Sequence, residues 1–183
     1  MKTSESDPIR VDFLPDDALG LKGRIGMTLA PGKKHPGLAG LWRRHLDDDL
    51  RRLREHYGTR LLVSLLEASE FEKLGTPDLL DRARAHGLET AWLPTVDGSA
   101  PNSMDDFLQL VEQILGNARE GRTVVIHCRG GLGRTGLAAA CCLVAVGHAP
   151  PEAVRLVRKV RPGSVENQKQ EAFVEAFRHA WES

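Results

Sequence analysis

The sequence lacks several features that would place it in a common class. It has three cysteines in 183 residues, two of them adjacent, which excludes a disulfide framework and predicts a cytoplasmic protein with free thiols. Its formal net charge is zero and it has no lysine-rich or arginine-rich run, which argues against nucleic acid or membrane as a partner. No apolar stretch reaches the roughly 20 residues of a membrane-spanning helix, and residues 1–6 lack the apolar core of a signal peptide.

The apolar pattern is that of an ordinary globular chain. With no repeat or long linker, we expect a single domain over residues 1–183, with residues 1–6 flexible. Strand-like runs alternate with amphipathic helices, which predicts an α/β fold with a central, mostly parallel sheet of about four to five strands and helices on both faces. The predicted strands are 9–14, 24–29, 60–66, 88–93 and 123–126, and the predicted helices are 41–57, 77–86, 103–120, 134–147, 151–161 and 166–181.

The most informative segment is HCRGGLGRTG at residues 127–136, between a β-branched strand and a helix. Its glycines let the backbone curl so that successive amides point inward, and the helix N-terminus adds the positive end of its dipole. Such a bowl fits a phosphate dianion. The predicted phosphate-binding residues are Arg129, Gly130, Gly131, Leu132, Gly133 and Arg134.

Two side chains of this loop would supply chemistry. A helix N-terminus and cationic neighbours lower the pKa of a cysteine thiol below about 8.5, so we expect Cys128 to attack phosphorus as a thiolate. Arg134 would clamp two phosphoryl oxygens, Thr135 would donate its hydroxyl to the sulfur, and His127 would orient the cysteine through a backbone hydrogen bond. The alternative is a structural cysteine beside a glycine turn, which leaves the rest of the motif unexplained.

A phosphatase of this kind also needs an acid for the leaving oxygen. Asp97, in the turn-rich segment 93–101, follows a strand that can neighbour the Cys128 strand, so it would protonate that oxygen and then activate water. The alternative is that Asp97 and Gly98 form a simple tight turn. Asp105 and Asp106 are rivals, but a position in the first turn of a helix already explains them.

With these residues the chain resembles the cysteine-based protein phosphatases, in particular the dual-specificity branch and the kinase-associated phosphatases (the cyclin-dependent kinase inhibitor 3 family). The resemblance covers nearly the whole chain and includes VDFLP at 11–15, PGKK at 31–34, PDLLD at 77–81 and GGLGR at 130–134. It implies a cofactor-free enzyme that acts on a phosphoprotein or phosphopeptide through a phosphocysteine intermediate.

The resemblance also implies roles for single residues. Cys128 would be the nucleophile, Arg134 the phosphate binder and Asp97 the general acid. In the tyrosine-specific branch a glutamine motif places the hydrolytic water; here Glu166 stands where its first glutamine would fall, so only Gln170 is carried over as a supporting residue. The chain is too short for the long phosphotyrosine-recognition loop of that branch, which implies that phosphoserine and phosphothreonine are accepted with phosphotyrosine.

Several interpretations stay open. We expect Lys33, Lys34 and His35 to form a solvated turn, with a basic face beside the loop as the alternative. Cys141 and Cys142 are interpreted as core residues, and the histidine and cysteine spacing predicts no metal site. Two other functions remain: a phosphoinositide or inositol-phosphate phosphatase, although such loops usually carry lysines, and a non-catalytic phosphate-binding module.

Overall fold

A computed structural model of the chain describes residues 1–37 and 40–183. Its strands are β1 (Asp12–Phe13), β2 (Arg24–Thr28), β3 (Lys34–Gly37), β4 (Gly40–Arg43), β5 (Thr59–Ser64), β6 (Glu89–Trp92) and β7 (Thr123–His127). Its helices are α1 (Asp16–Leu19), α2 (Leu46–Glu55), α3 (Ala68–Lys73), α4 (Leu79–Ala85), α5 (Met104–Arg119), α6 (Gly133–Ala145), α7 (Pro150–Val160) and α8 (Gln168–Glu182).

Five strands form one sheet in the order β1-β2-β7-β5-β6. Only β1 is antiparallel to its neighbour; the other pairs are parallel. The predicted α/β fold with a mostly parallel sheet is therefore confirmed. Because β2, β7 and β5 are parallel neighbours, their carboxyl ends meet at one edge, which is where open α/β sheets bind ligands.

The central strand divides the core in two. Val124 and Ile126 of β7 pack in the cluster that holds α5 to α8, whereas Val125 packs with Leu62 and the apolar residues of α2 and α4. Successive side chains of a strand point to opposite faces, so this run of apolar residues is buried on both sides. The expected helical cover of both faces is confirmed.

Three elements are missing from the sequence prediction: α1, the β3–β4 hairpin and α3. The helix predicted from Leu41 is wrong at its start, because residues 40–43 pair with β3 and α2 begins only at Leu46. The six residues of α3 are too few to show a helical apolar period.

Residues 1–6 lie against β4. The amide of Lys2 donates to the carbonyl oxygen of Leu41 at 2.9 Å, and the amide of Arg43 donates to that of Lys2 at 2.9 Å. The flexibility of residues 1–6 stays a prediction. Along residues 1–37 and 40–183, no helix has both the length and the apolar character required to cross a bilayer.

Candidate active site

Cys128 lies directly after β7, at the carboxyl edge of the sheet, and is 3% exposed. It lines a cleft of about 910 Å³ that also reaches Asp97, Arg129 and Leu132. The strand, the loop and the following helix α6 thus occur in the predicted order. The sequence-predicted nucleophile and general acid face the same cleft.

Arg161 holds two carbonyl groups of the loop. Arg161 donates from Nε to the carbonyl oxygen of Gly131 at 2.7 Å and from Nη2 to that of Gly130 at 3.0 Å, while its Nη1 pairs with Asp12 at 2.8 Å. In a trans peptide the carbonyl and the following amide point in opposite directions, so the amides of Gly131 and Leu132 face away from Arg161. Neither amide donates to another group in the part of the chain that the structure describes. They are donors available to an anion.

Two glycines of the loop lie in close contact with neighbouring segments. Gly131 has a φ of +73°, and a Cβ there would lie 2.2 Å from the carbonyl oxygen of Thr28. A Cβ at Gly133 would lie 2.3 Å from Oε1 of Glu166. The loop therefore packs directly on the end of β2 at Gly131, where no other residue fits, whereas at Gly133 it faces the end of the Glu166 side chain.

Arg134 is held in a buried, bidentate ion pair that the sequence analysis missed. Its Nη1 and Nη2 donate to Oε2 and Oε1 of Glu70 at 2.7 and 2.9 Å, and Nη1 also donates to the carbonyl oxygen of Thr95 at 2.8 Å. Burial of the Glu70 carboxyl raises its pKa, but the hydrogen bonds from Arg134 and from the amide of Glu67 outweigh burial, and the net pKa is lowered. Glu70 is therefore ionised at neutral pH and orients the guanidinium.

One local signal could have found Glu70. In α3 the side chains and amides of Glu67 and Glu70 form a reciprocal capping box. A polar residue followed three positions later by glutamate marks a helix start, and that helix comes directly after the apolar strand at 60–66. The pattern identifies α3, although it does not reveal that Glu70 contacts Arg134.

Asp97 lies close to Arg134, the predicted phosphate-binding arginine. Its Oδ1 is 3.3 Å from Nη2 of Arg134, and its side chain is 57% exposed. Cys128 and Asp97 thus line one cleft, and Asp97 in turn contacts Arg134. Asp105 and Asp106 instead lie in the first turn of α5, where the Ser103 side chain caps the helix.

Gln170 holds the Asp97 loop from the side of α8. Its Nε2 donates to the carbonyl oxygen of Ser99 at 3.1 Å, and its Oε1 accepts from the amide of Glu166 at 2.8 Å. Asn167 adds a bond from Nδ2 to the carbonyl oxygen of Gly98 at 2.9 Å. The side-chain amide of Gln170 is engaged at both ends, and its predicted role in placing water stays a prediction.

His127 and Thr135 flank the motif and are both fully buried. Burial lowers the pKa of His127 to about 4, so its ring is neutral at pH 7, and Nδ1 lies 2.9 Å from the carbonyl oxygen of Cys128, to which it donates. This is the backbone bond expected from the sequence. The Thr135 hydroxyl has no hydrogen-bond partner among residues 1–37 and 40–183, so the bond expected to the Cys128 sulfur is not formed in this geometry.

Lys33 lies against the loop and is not the solvated residue expected. It is 8% exposed, and its Nζ lies 3.5 Å from the carbonyl oxygen of Arg129 and 4.9 Å from the ring centroid of Trp42. Burial and the positive charge of Arg129 lower its pKa. The interpretation as a solvated turn is therefore wrong for Lys33. Lys34 is exposed as expected, but Lys34 and His35 belong to strand β3 rather than to a turn.

The remaining predictions concern thiols and metals. Cys141 and Cys142 are fully buried in α6, and burial raises the pKa of both thiols, that of Cys142 to about 12. They are core residues, as expected. No group of three or more metal-ligating side chains occurs in the described ranges, and independence from metal stays a prediction.

A thiol at the floor of an amide-lined bowl, with an oriented arginine six positions later, defines the class of cysteine-dependent phosphatases. Residues 34–174 match the family model described as PTP-SAK, the Swiss Army Knife protein DSP-PTPase phosphatase domain. The chain therefore belongs to this dual-specificity phosphatase family, whose members are cysteine-dependent phosphoester hydrolases.

Individual relatives agree with the family match. The chain is 29% identical over 177 residues to cyclin-dependent kinase inhibitor 3 of Rattus norvegicus, covering 95% of this chain and 81% of the relative. Among solved structures, it matches kinase-associated phosphatase with the catalytic-site cysteine replaced by serine, at a TM-score of 0.86 and 26% identity, covering 96% of this chain and 97% of that one. It matches Tk-PTP in its active form at a TM-score of 0.73 and 28% identity, covering 92% and 96%. The resemblance stated from the sequence is confirmed.

Proposed function

We propose that this chain is a protein phosphatase that hydrolyses phosphotyrosine, phosphoserine and phosphothreonine esters with Cys128 as its nucleophile. The observation that carries the proposal is that Cys128 and Asp97 line one cleft, with Asp97 in contact with Arg134, beside loop amides that have no partner among the described residues. Membership of the dual-specificity family supports the reaction class.

In the first step the Cys128 thiolate attacks phosphorus. The P–S bond forms while the ester P–O bond breaks, and Asp97 gives its proton to the leaving oxygen. The loop amides and Arg134 stabilise the charge on the three equatorial oxygens. Glu70 fixes the orientation of the Arg134 guanidinium, so little reorganisation is required during the step.

In the second step water attacks the phosphocysteine. The P–S bond breaks, inorganic phosphate leaves and the thiolate returns. Asp97, now a carboxylate, accepts the proton of that water. His127 does not exchange a proton near neutral pH, because its pKa is about 4; its part is to hold the carbonyl of Cys128.

The nucleophile is tested by replacing it. We expect Cys128→Ser to lower the turnover of p-nitrophenyl phosphate by more than about 10⁴-fold, because removal of a catalytic nucleophile has effects of that order, while vanadate still binds through the amides and Arg134. Cys142→Ser is the matched control: it removes a buried thiol from the same region and should keep the activity. Turnover by Cys128→Ser close to that of the parent would contradict the proposal.

The two alternatives have separate tests. An inositol-phosphate phosphatase would turn over soluble inositol phosphates with a kcat/KM above that of any singly phosphorylated peptide. A non-catalytic binding module would bind phosphate and hydrolyse neither. Activity that disappears on addition of EDTA would replace the cysteine mechanism with a metal-dependent one.

A further inference from the structure

Two cations at the cleft have no carboxylate partner. Lys33 and Arg129 both line it, and neither forms an ion pair with any residue of 1–37 or 40–183. The other cationic side chains that line the cleft are each paired: Lys2 with Asp7, Arg10 with Asp12, Arg44 with Asp49, and Arg161 with Asp12.

These two cations lie beside the phosphate bowl. Lys33 donates to the carbonyl oxygen of Arg129, and the amide that follows this carbonyl points the opposite way, so the ammonium is on the outer side of the loop. The Arg129 side chain turns toward the hairpin, where its Nη2 lies 2.9 Å from Nε2 of His35. Arg134 and the loop amides are left to the scissile phosphate, and Lys33 and Arg129 form a separate cationic pair in the same cleft, with the His35 ring accepting a hydrogen bond from Arg129.

Burying Lys33 without a carboxylate partner costs the fold stability. The ammonium loses most of its hydration, and the contact with the Trp42 ring compensates only in part. Its lowered pKa has the same cause. Groups that lower the stability of the free protein are typical of binding sites, because a bound ligand supplies the missing partner.

The size of the cleft agrees with a ligand larger than one phosphate. At about 910 Å³ it lies near the upper end of ordinary ligand pockets, which span roughly 300 to 1,000 Å³. A peptide with its phosphate in the bowl would extend along this space. The groups next to its phosphorylated residue would then contact Lys33 and Arg129.

We propose that Lys33, His35 and Arg129 form a second anion site, which binds another phosphate of a doubly phosphorylated peptide while the bowl holds the scissile one. The inference rests on the proposed function, because the second phosphate is positioned at this site only when the bowl holds the first. The second group is not cleaved; it contributes binding energy through charge-assisted hydrogen bonds.

The test compares kcat/KM for peptides of one sequence with one or two phosphates, the second placed one, two or three residues from the first. We expect at least one doubly phosphorylated peptide to exceed its singly phosphorylated form by about tenfold or more, as one charge-assisted bond provides. Lys33→Met should bring that ratio close to one. Lys34→Met is the matched control, since Lys34 is the exposed neighbour, and should keep the parental ratio.

Two further measurements keep the test decisive. Lys33→Met should unfold at a denaturant concentration equal to or above that of the parent, because it removes an unpaired buried charge; if it fails to fold, His35→Asn must lower the same ratio. A parental ratio near one, a ratio unaffected by these changes, or inositol bisphosphate turned over faster than every doubly phosphorylated peptide would each overturn the second site. Failure of the proposed function is distinguishable, because then the singly phosphorylated peptides are not cleaved either.

Discussion

The phosphate loop and the wall that faces it are built in different ways. The loop gathers its functional groups within ten consecutive residues, 127–136, between one strand and one helix. The facing wall takes Lys33 from the turn after β2, Glu70 from α3 and Asp97 from the loop after β6. Glu70 is 64 positions from Arg134, and Lys33 is 96 positions from Arg129. In the proposed mechanism the loop supplies the anion site, whereas the wall orients Arg134, supplies the proton and, in the proposed second site, contributes Lys33.

Among substitutions in the facing wall, the largest loss of kcat should come from Asp97. We expect Asp97→Asn to lower kcat by about 10²-fold or more for an alkyl phosphate, because a general acid contributes 10² to 10⁴ when the leaving group is poor. The loss should be much smaller for p-nitrophenyl phosphate, whose leaving group needs little protonation. The measurement is kcat for a series of substrates of increasing leaving-group pKa.

Asp105→Asn is the control for this series. Asp105 lies in the first turn of α5 and should leave the dependence on leaving-group pKa unchanged. An equal loss in Asp97→Asn for good and poor leaving groups would show that Asp97 acts only through its contact with Arg134. In that case Asp97 would orient Arg134 and would transfer no proton.

A smaller effect is expected at Glu70. Glu70→Gln leaves the buried guanidinium of Arg134 with a weaker partner, so we expect kcat to fall by about tenfold and the free energy of unfolding to fall by about 1 to 3 kcal/mol. Because the native pKa of Glu70 is lowered, its contribution is present above the unfolded value of 4.5 and lost as pH falls through the native pKa. The stability difference from the parent should therefore shrink in acid.

Glu72→Gln provides the comparison for this change, since Glu72 is exposed on the same helix. It should alter neither kcat nor the acid dependence of unfolding. Equal kcat for Glu70→Gln and the parent would mean that the loop orients Arg134 without the wall. The contrast between the two regions would then be one of stability alone.

The same contrast explains what the sequence could predict. Cys128, Arg134 and the glycines follow from a local string whose spacing already implies an anion bowl. Lys33 and Glu70 depend on contacts between segments far apart in the chain, and no periodicity reports those contacts. A lysine in a polar turn looks solvated until Trp42 and the loop cover it. The centre of the sheet was predictable because β5 and β7 contain continuous apolar runs, whereas the short α3 and the β3–β4 hairpin carry too few apolar residues to show a period.

The smallest effect on activity should come from within the loop motif itself, at His127. His127→Asn keeps a donor near the carbonyl of Cys128, so we expect kcat/KM to change only a few-fold, with no change in the shape of the pH–rate profile between pH 6 and 8. Stability in acid should differ more. The native pKa of about 4 lies below the usual histidine value of 6.5, so between these values the unfolded chain binds a proton that the native state does not, and parental stability falls as pH drops from about 6.5 to 4.

At about 1.4 kcal/mol per pKa unit, this loss amounts to roughly 3 kcal/mol for the parent. His127→Asn should lack that component, so its unfolding free energy should fall less steeply with acid than that of the parent, whatever its level at pH 7. His179→Asn replaces an exposed histidine and should retain the parental slope. Parallel slopes for His127→Asn and the parent, measured by urea unfolding at each pH, would show that His127 is not held neutral. A pH–rate profile shifted by His127→Asn would instead indicate that His127 transfers a proton, a role that the proposed mechanism gives only to Asp97.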